Sequence, residues 1–438
     1  MSHYKPYPAY RDSGVEWIGQ VPEHWRVTPL KVIAETVNGA TPESGKPEYW
    51  DGDIAWYTPT DIDNEVASEL GVPRRYITQA GYESCAVKLS PPGSVILSTR
   101  APIGSVGITT IPSTINQGCR TLIPAQDVPT SYLASTLVAA REELRLRGNG
   151  TTFQELSTEA LRSLRVPMPP RSECVSIASG LDRETARFDA LIAKKTRFIE
   201  LLKEKRQALI THAVTKGLDT NVPMRDSKSE WIGEVPEHWR VCSLGYLSRI
   251  STGGTPDRKN DSYWNGEIPW VKTGEINYKI ISDTEERITD AGLSNSATFI
   301  AEPGTILMAM YGMGVTRGRV AVLGIPASFN QACAAISCSS GVHNWYVFYC
   351  LCAAYRFIRD LGNEASQVNL NLEIVSKIKV PVPPLLEQEE IEKHLVAQLQ
   401  KLDAIEQRVS NSISLIKERR SAFITAAVTG QIDLRESA

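Results

Sequence analysis

Two sets of seven side chains stand in predicted loops of this chain and could read or grip a polynucleotide. The first is Tyr57, Thr58, Thr60, Thr99, Arg100, Asn116 and Gln117; the second is Lys272, Thr273, Tyr311, Arg317, Arg319, Asn330 and Gln331. Arginine forks match guanine edges, Asn and Gln amides match adenine edges, and Lys, Thr and Tyr suit phosphate oxygens. Asn116-Gln117 and Asn330-Gln331 recur between the sets, as framework residues do, and bracing a loop accounts for them equally well. Residues that differ, such as Arg100 against Tyr311, are better candidates for reading different sequences.

Catalytic chemistry finds no comparable set. Gly39 and Gly45-Lys46 miss the phosphate-loop spacing, and Pro47 stands where that loop needs Ser or Thr. Gly312, Gly314 and Gly318 miss G-x-G-x-x-G by one residue and read as a flexible loop. H-E-x-x-H, G-x-S-x-G and the [DN]-P-P-[YFW] of amino-methyltransferases are absent, and no catalytic residue is assigned. His24 and His238 have no second His or Cys at metal-ligand spacing, so they read as packing or hydrogen-bonding residues, and no metal is expected. The eight cysteines are scattered without C-x-x-C and read as buried free thiols of a reducing cytosol.

The elements that must position the two loop sets are themselves duplicated. EWIGQVPEHWRV at 16–27 returns as EWIGEVPEHWRV at 230–241, identical at eleven of twelve positions. Trp17, Trp25, Trp231 and Trp239 are expected to clamp each module's entrance into a core. GATPESGKPEYWDGDIAWYTPTDI at 39–62 matches GGTPDRKNDSYWNGEIPWVKTGEI at 253–276 at the same offset of 214 residues. Their Gly and Pro clusters separate short β-branched and aromatic runs, which predicts turns and short strands. Between Tyr57 and Ile115 the offset slips to 211 and identity falls, so the modules share a frame and differ in the middle. Each closes with a helical piece and a proline step, SLRVPMPP at 163–170 and KIKVPVPP at 377–384.

A long charged helix follows each step, ending KEKRQALITHAVTKG and KERRSAFITAAVTG, with Gly217 and Gly430 as stops. A seven-residue series runs Leu181, Phe188, Lys195, Leu202, Leu209 in the first and Leu395, Leu402, Val409, Ile416, Phe423 in the second. Leu191, Phe198 and Ile405 supply part of a companion seam. Some 45 residues at about 1.5 Å each span on the order of 65 Å, and such a seam needs a partner. Two copies related by a pseudo-two-fold axis would pair these helices antiparallel. The predicted fold is α+β: two mixed α/β domains joined by two long helices that form an antiparallel coiled coil. The expected boundaries are 1–170, 171–217, 218–384, 385–430 and a tail at 431–438. The helix ends are more alike between the copies than the heptad series that precedes them.

Bulk composition is that of a water-soluble globular chain: 438 residues, 42% apolar, 22% charged, net charge −3. That balance excludes a polycation, so nucleic acid would have to be held by local faces or base-edge contacts. The apolar run from Trp345 to Cys352 is too short to cross a bilayer and reads as a buried helix; a cytoplasmic protein is expected.

Taken together, EWIG-x-VPEHWRV, G-x-TP with YW and I-x-W, the NQ pair, VPxPP and the long helix ending KE[KR]RxAxITxAVT resemble the specificity subunit of type I restriction–modification enzymes, over nearly the whole chain in both copies. The resemblance implies two target recognition domains, each reading one half of a bipartite site in double-stranded DNA. It further implies helices that space them and dock two modification (methyltransferase) subunits, with restriction (translocase and nuclease) subunits completing the complex. The chain itself would be non-catalytic and carry no cofactor; S-adenosylmethionine, ATP and Mg would sit on the partner subunits. One departure is Cys174 where the family's P-x-x-E-Q helix start, intact at Pro384–Gln388, has Gln. The alternative is a scaffold that binds RNA or protein through two repeated modules.

Overall fold

The computed structural model describes residues 4–62, 67–148, 155–312, 315–361 and 369–435. Gly314, counted above in a flexible loop, and the tail beyond residue 435 lie outside them. The chain folds into two compact units: unit 1 is Met1–Thr196 with Ser410–Ala438, and unit 2 is Arg197–Val409. Each therefore contains one globular module and half of each long helix.

In unit 1 a five-stranded sheet has the order Ala34–Asn38, Cys119–Pro124, Val95–Ser98, Val106–Ile108, Ser68–Glu69, antiparallel except for the last pair. A three-stranded sheet sets Trp50–Tyr57 between Ser113–Ile115, parallel, and Arg75–Ile77, antiparallel. Val95, Leu97, Val106 and Leu122 pack under the helix Thr130–Ala139 through Tyr132, Leu133 and Leu137. Burying such runs on both faces drives the sheet to close over its helix. The proline step forms the strand Arg165–Met168, antiparallel to Arg26–Pro29, and Tyr132 donates its hydroxyl to the Pro167 carbonyl at 3.0 Å.

Unit 2 repeats this order. Ser248–Thr252, Cys333–Cys338, Ile306–Ala309, Val320–Leu323 and Ile280–Ile281 make the five-stranded sheet, and Trp264–Val271 lies between Glu286–Ile288 and Ser328–Phe329 in the three-stranded one. The run around Trp345 is the buried helix Asn344–Ala353, and Tyr346 reaches the Pro381 carbonyl at 3.1 Å. No helix among the described residues is long and apolar enough to cross a membrane.

The long helices are Arg171–Lys216 and Leu385–Val428. Inside unit 1 the start of the first meets the end of the second. Phe188 packs on Phe423, Asp189 pairs with Arg420, and Gly180 lies against Leu434. Inside unit 2 Arg206 pairs with Asp403, and Gly217 lies against Glu387. Numbers rise on one helix as they fall on the other, so the packing within each unit is antiparallel. Asp189 and Arg206 become Asp403 and Arg420 on adding the repeat offset, so one contact is made twice. Of the heptad series, Leu181, Leu202, Leu395, Leu402 and Phe423 are buried, and Phe188, Lys195, Leu209, Val409 and Ile416 are half-buried. The companion seam is not: Leu191, Phe198 and Ile405 are 43%, 44% and 39% exposed, because two helices side by side cover one stripe of each other.

The entrance tryptophans explain the EHW repeat. Trp25 is buried and donates its indole N–H to Glu173 Oε2 at 2.9 Å, while His24 Nε2 sits 2.7 Å from Oε1. Trp239 and His238 meet Glu387 in the same way, each at 3.0 Å. A carboxylate in the first helical turn, favoured there by the helix dipole, thus latches each module to its helix. Trp25 also packs on Gly430, and Trp239 on Gly217, the glycine stops whose φ values are +75° and +77°. Ile210, Ala213, Val214 and Thr215 are buried, as are Ile424, Ala427, Val428 and Thr429. Packing against the latch therefore accounts for the recurrence of these buried positions, while Glu204 and Ala208 recur at the exposed positions Glu418 and Ala422.

Candidate nucleic-acid interface

In each unit the loops after the central strand of the three-stranded sheet and the NQ turn meet on one side. Asn116 N–H donates to the Tyr57 carbonyl at 2.9 Å and Asn330 N–H to the Val271 carbonyl at 3.1 Å, tying turn to strand. Asn116 Oδ1 accepts the Gly118 N–H at 3.0 Å; Asn330 Oδ1 accepts from Ala332 N at 3.1 Å and Cys333 Sγ at 3.0 Å. The asparagines therefore brace the turn. Gln117 and Gln331 are exposed beside it, each taking a hydroxyl hydrogen bond from the threonine of the G-x-TP segment, Thr41 and Thr255. Gly39 and Gly253 are required there, since a Cβ would collide with the Asn116 and Phe329 carbonyl oxygens.

In unit 1, Thr58, Thr60, Arg100, Asn116 and Gln117 gather around this turn; Gly118 lies close to both Pro59 and Arg100. Thr58 donates its N–H (2.8 Å) and hydroxyl (2.6 Å) to Asp61 Oδ2 and touches Thr60 Oγ1 at 2.8 Å. Arg100 is exposed and pairs with Glu155 at 3.2 Å. Tyr57 and Thr99 point inward. Tyr57 is 1% exposed, gives its hydroxyl to the Gly71 carbonyl at 2.8 Å, and has its phenol pKa raised by burial. Thr99 is fully buried. Both are therefore core residues: Tyr57 ends the strand Trp50–Tyr57 in a cluster with Ile96 and Cys119, and Thr99 directly follows the buried strand Val95–Ser98.

In unit 2, Lys272, Thr273 and Asn330 line one polar cleft with Thr255, Arg258, Trp270, Glu275 and Glu285. Lys272 Nζ lies 2.9 Å from Glu285 and 3.1 Å from Glu286, and those hydrogen bonds, Glu285's first, raise its pKa. Burial alone would raise the Glu286 carboxyl, yet Arg258 and Lys272 together hold it below its ordinary value. Tyr311, Arg317 and Arg319 do not line this cleft. Tyr311 is exposed; Arg317 is 7% exposed and donates to the Arg359 carbonyl at 2.6 Å, capping a helix end; Arg319 is half-buried and reaches Asn277 at 3.4 Å. Arg317 is thus a structural residue, drawn in because its guanidinium ties the loop to the helix Tyr355–Asp360.

Sequence reasoning missed Arg75, opposite Trp56 in unit 1, with its neighbour Arg74, and Arg258, which lines the unit 2 cleft. Arg75 and Glu286 face Trp56 and Trp270 in their ladders, so they are equivalent positions. The offset of 211 at Gly81/Gly292 was the signal that could have aligned them.

The arrangement offers hydrogen-bonding forks and carboxylates on a braced rim. The model of the type I restriction modification DNA specificity domain matches residues 22–201 and again 236–415. The MjaIX type I restriction enzyme specificity subunit of Methanocaldococcus jannaschii is 27% identical, over 96% of each chain. The EcoR124I/EcoR124II specificity subunit of Escherichia coli is 25% identical over 52% of this chain and 51% of its own. Among solved structures, a chain from a type I R-M system studied for complex assembly and conformational transition superposes with a TM-score of 0.69 at 16% identity, covering 93% of this chain and 98% of that one. The HsdS subunit of Thermoanaerobacter tengcongensis superposes at 0.51, also 16% identical, over 94% and 98%. Neither the family model nor these relatives supports the scaffold alternative. The chain belongs to the type I restriction modification DNA specificity domain family and carries that domain twice.

Proposed function

We propose that this chain is the DNA-sequence specificity subunit of a type I restriction–modification complex. Each module reads one half of a bipartite, asymmetric duplex site through the rim built on its NQ turn. The antiparallel helices set the interval between half-sites and dock two modification subunits, and restriction subunits join the assembly. Bond-making belongs to those partners: S-adenosylmethionine on the modification subunits, ATP and Mg on the restriction subunits. One observation carries this reading. The two units keep the same sheet order, latch and braced turn, yet place different charges on the rim, as two readers of different half-sites must.

Mapping N6-methyladenine across the host genome with and without this gene tests it. A bipartite motif that loses methylation on deletion is the expected result; an unchanged methylome overturns the reading. Adding about one heptad to both helices should then lengthen the spacer and leave the half-site sequences alone.

A further inference from the structure

Each rim rests on a tryptophan pair that is fixed in the same manner in both units. Trp50 and Trp56 meet edge to face at 5.0 Å, Trp264 and Trp270 at 5.2 Å. The indole N–H groups donate to the carbonyls of Glu43 and Ala40 in unit 1 and of Asp257 and Gly254 in unit 2. A guanidinium lies over each pair. Arg75 Cζ is 3.6 Å from the Trp50 ring and 5.7 Å from Trp56; Arg258 Cζ is 3.9 Å from Trp264 and 4.9 Å from Trp270.

The two arginines are not equivalent in sequence. Arg75 comes from the strand opposite Trp56, where unit 2 has Glu286 opposite Trp270. Arg258 comes from the preceding turn, where unit 1 has Ser44. The same group reaches the same seat from two backbones, so the seat has a use beyond its ladder. The surroundings then diverge. Arg258 is bound by Glu286 at 2.6 Å, and Glu286 also takes Lys272. Arg75 is exposed and has no ion-pair partner among the described residues; its neighbour Arg74 leans to Asp61 at 3.8 Å. An arginine seated over an indole is already partly ordered, so less freedom is lost when its fork makes two parallel hydrogen bonds.

We propose that Arg75 is a specificity-determining residue that reads the major-groove edge of a guanine in the half-site of unit 1, whereas Arg258, engaged by Glu286, does not demand guanine in the half-site of unit 2. This rests on the DNA-reading function proposed above. The guanine O6 and N7 acceptors match the guanidinium fork; adenine places an amino donor where O6 would be and meets it with repulsion.

The experiment uses the full chain assembled with its modification subunits on a duplex library randomised in both half-sites, with the methylated products sequenced. The wild-type complex should require guanine at one position of one half-site. Arg75→Lys keeps the charge and loses the fork, and should relax the preference at that position by roughly tenfold or more while the other half-site is unchanged. Arg75→Glu, which installs the unit 2 residue, should abolish the guanine preference there. Arg258→Lys should change no base preference beyond about threefold, the scale of weak, non-reading contacts. Guanine preference retained in Arg75→Lys overturns the assignment and leaves the proposed function standing, as does a tenfold shift caused by Arg258→Lys. A wild-type complex with no bipartite preference at all overturns the proposed function and this assignment together.

Discussion

Unit 1 and unit 2 solve one corner of the fold differently, and the difference shows how tightly the frame is specified. At the start of the second long helix, Gln388 is fully buried; its amide donates to the Pro383 carbonyl at 2.9 Å and accepts the His343 N–H at 2.9 Å. The equivalent residue in unit 1, Cys174, gives its thiol to the Pro169 carbonyl at 3.4 Å. It makes no second bond of this kind because the residue equivalent to His343 is Pro129, which has no N–H to satisfy. The lost glutamine is therefore matched by a lost donor. Framework changes come in compensating pairs, whereas rim changes such as Arg75 against Glu286 alter what is presented to solvent.

The equivalence of the frames is most severely tested by Gly39→Ala and Gly253→Ala. Each should lower stability by about 2–3 kcal/mol through backbone collision, read as a drop in the calorimetric midpoint. A large loss in one and none in the other would break the equivalence. The latches should separate the units next. Glu173 is buried and also faces Arg435 at 3.4 Å, an interaction with no counterpart at Glu387, where the equivalent of Arg435 is Asn221. Glu173→Ala should cost about 2 kcal/mol and Glu387→Ala about 1 kcal/mol in denaturant unfolding. Equal losses would remove Arg435 from the account. At the corner just described, Gln388→Cys should cost about 1 kcal/mol, and adding His343→Pro should recover part of it; additive losses would show that the Pro129–Cys174 pairing is fortuitous. The smallest contrast is chemical. Burial pushes the Cys119 and Cys333 thiols far above the usual range, and Cys338 up to about 12. At mildly alkaline pH Cys119 and Cys333 should both stay unalkylated in the native protein, since their thiolates appear only at far higher pH, while half-exposed Cys85 reacts. Labelling of either buried thiol at the Cys85 rate would contradict the shared core.

Much of the frame is legible without coordinates because it is written twice. The repeat of EHW, the proline steps and the glycine stops locate the modules and helices. The latch is hidden in the sequence because Glu173 lies 148 residues from Trp25, and the helix dipole by itself favours a carboxylate in a first helical turn. The rim was read only in part. Tyr57 and Arg317 are polar-tipped residues near loops, yet burial is decided by the layer beneath, which spacing along one strand does not reveal. Arg75 was missed because it lies where the two copies fall out of register. It takes its place from a ladder partner nineteen residues back, Trp56.

The strand pairs at the module borders carry a consequence for inheritance. Arg26–Pro29 lies beside Arg165–Met168, and Arg240–Ser243 beside Lys379–Val382, so each module's chain enters and leaves through adjacent strands. Everything between those strands can be traded as a cassette without altering how its ends are held. The bordering EHWRV and VPxPP stretches are nearly the same in both copies, so either module meets the same border residues at its two ends. A lineage carrying this architecture can acquire a new half-site in one recombination, with the latch, the helices and the other reader inherited intact.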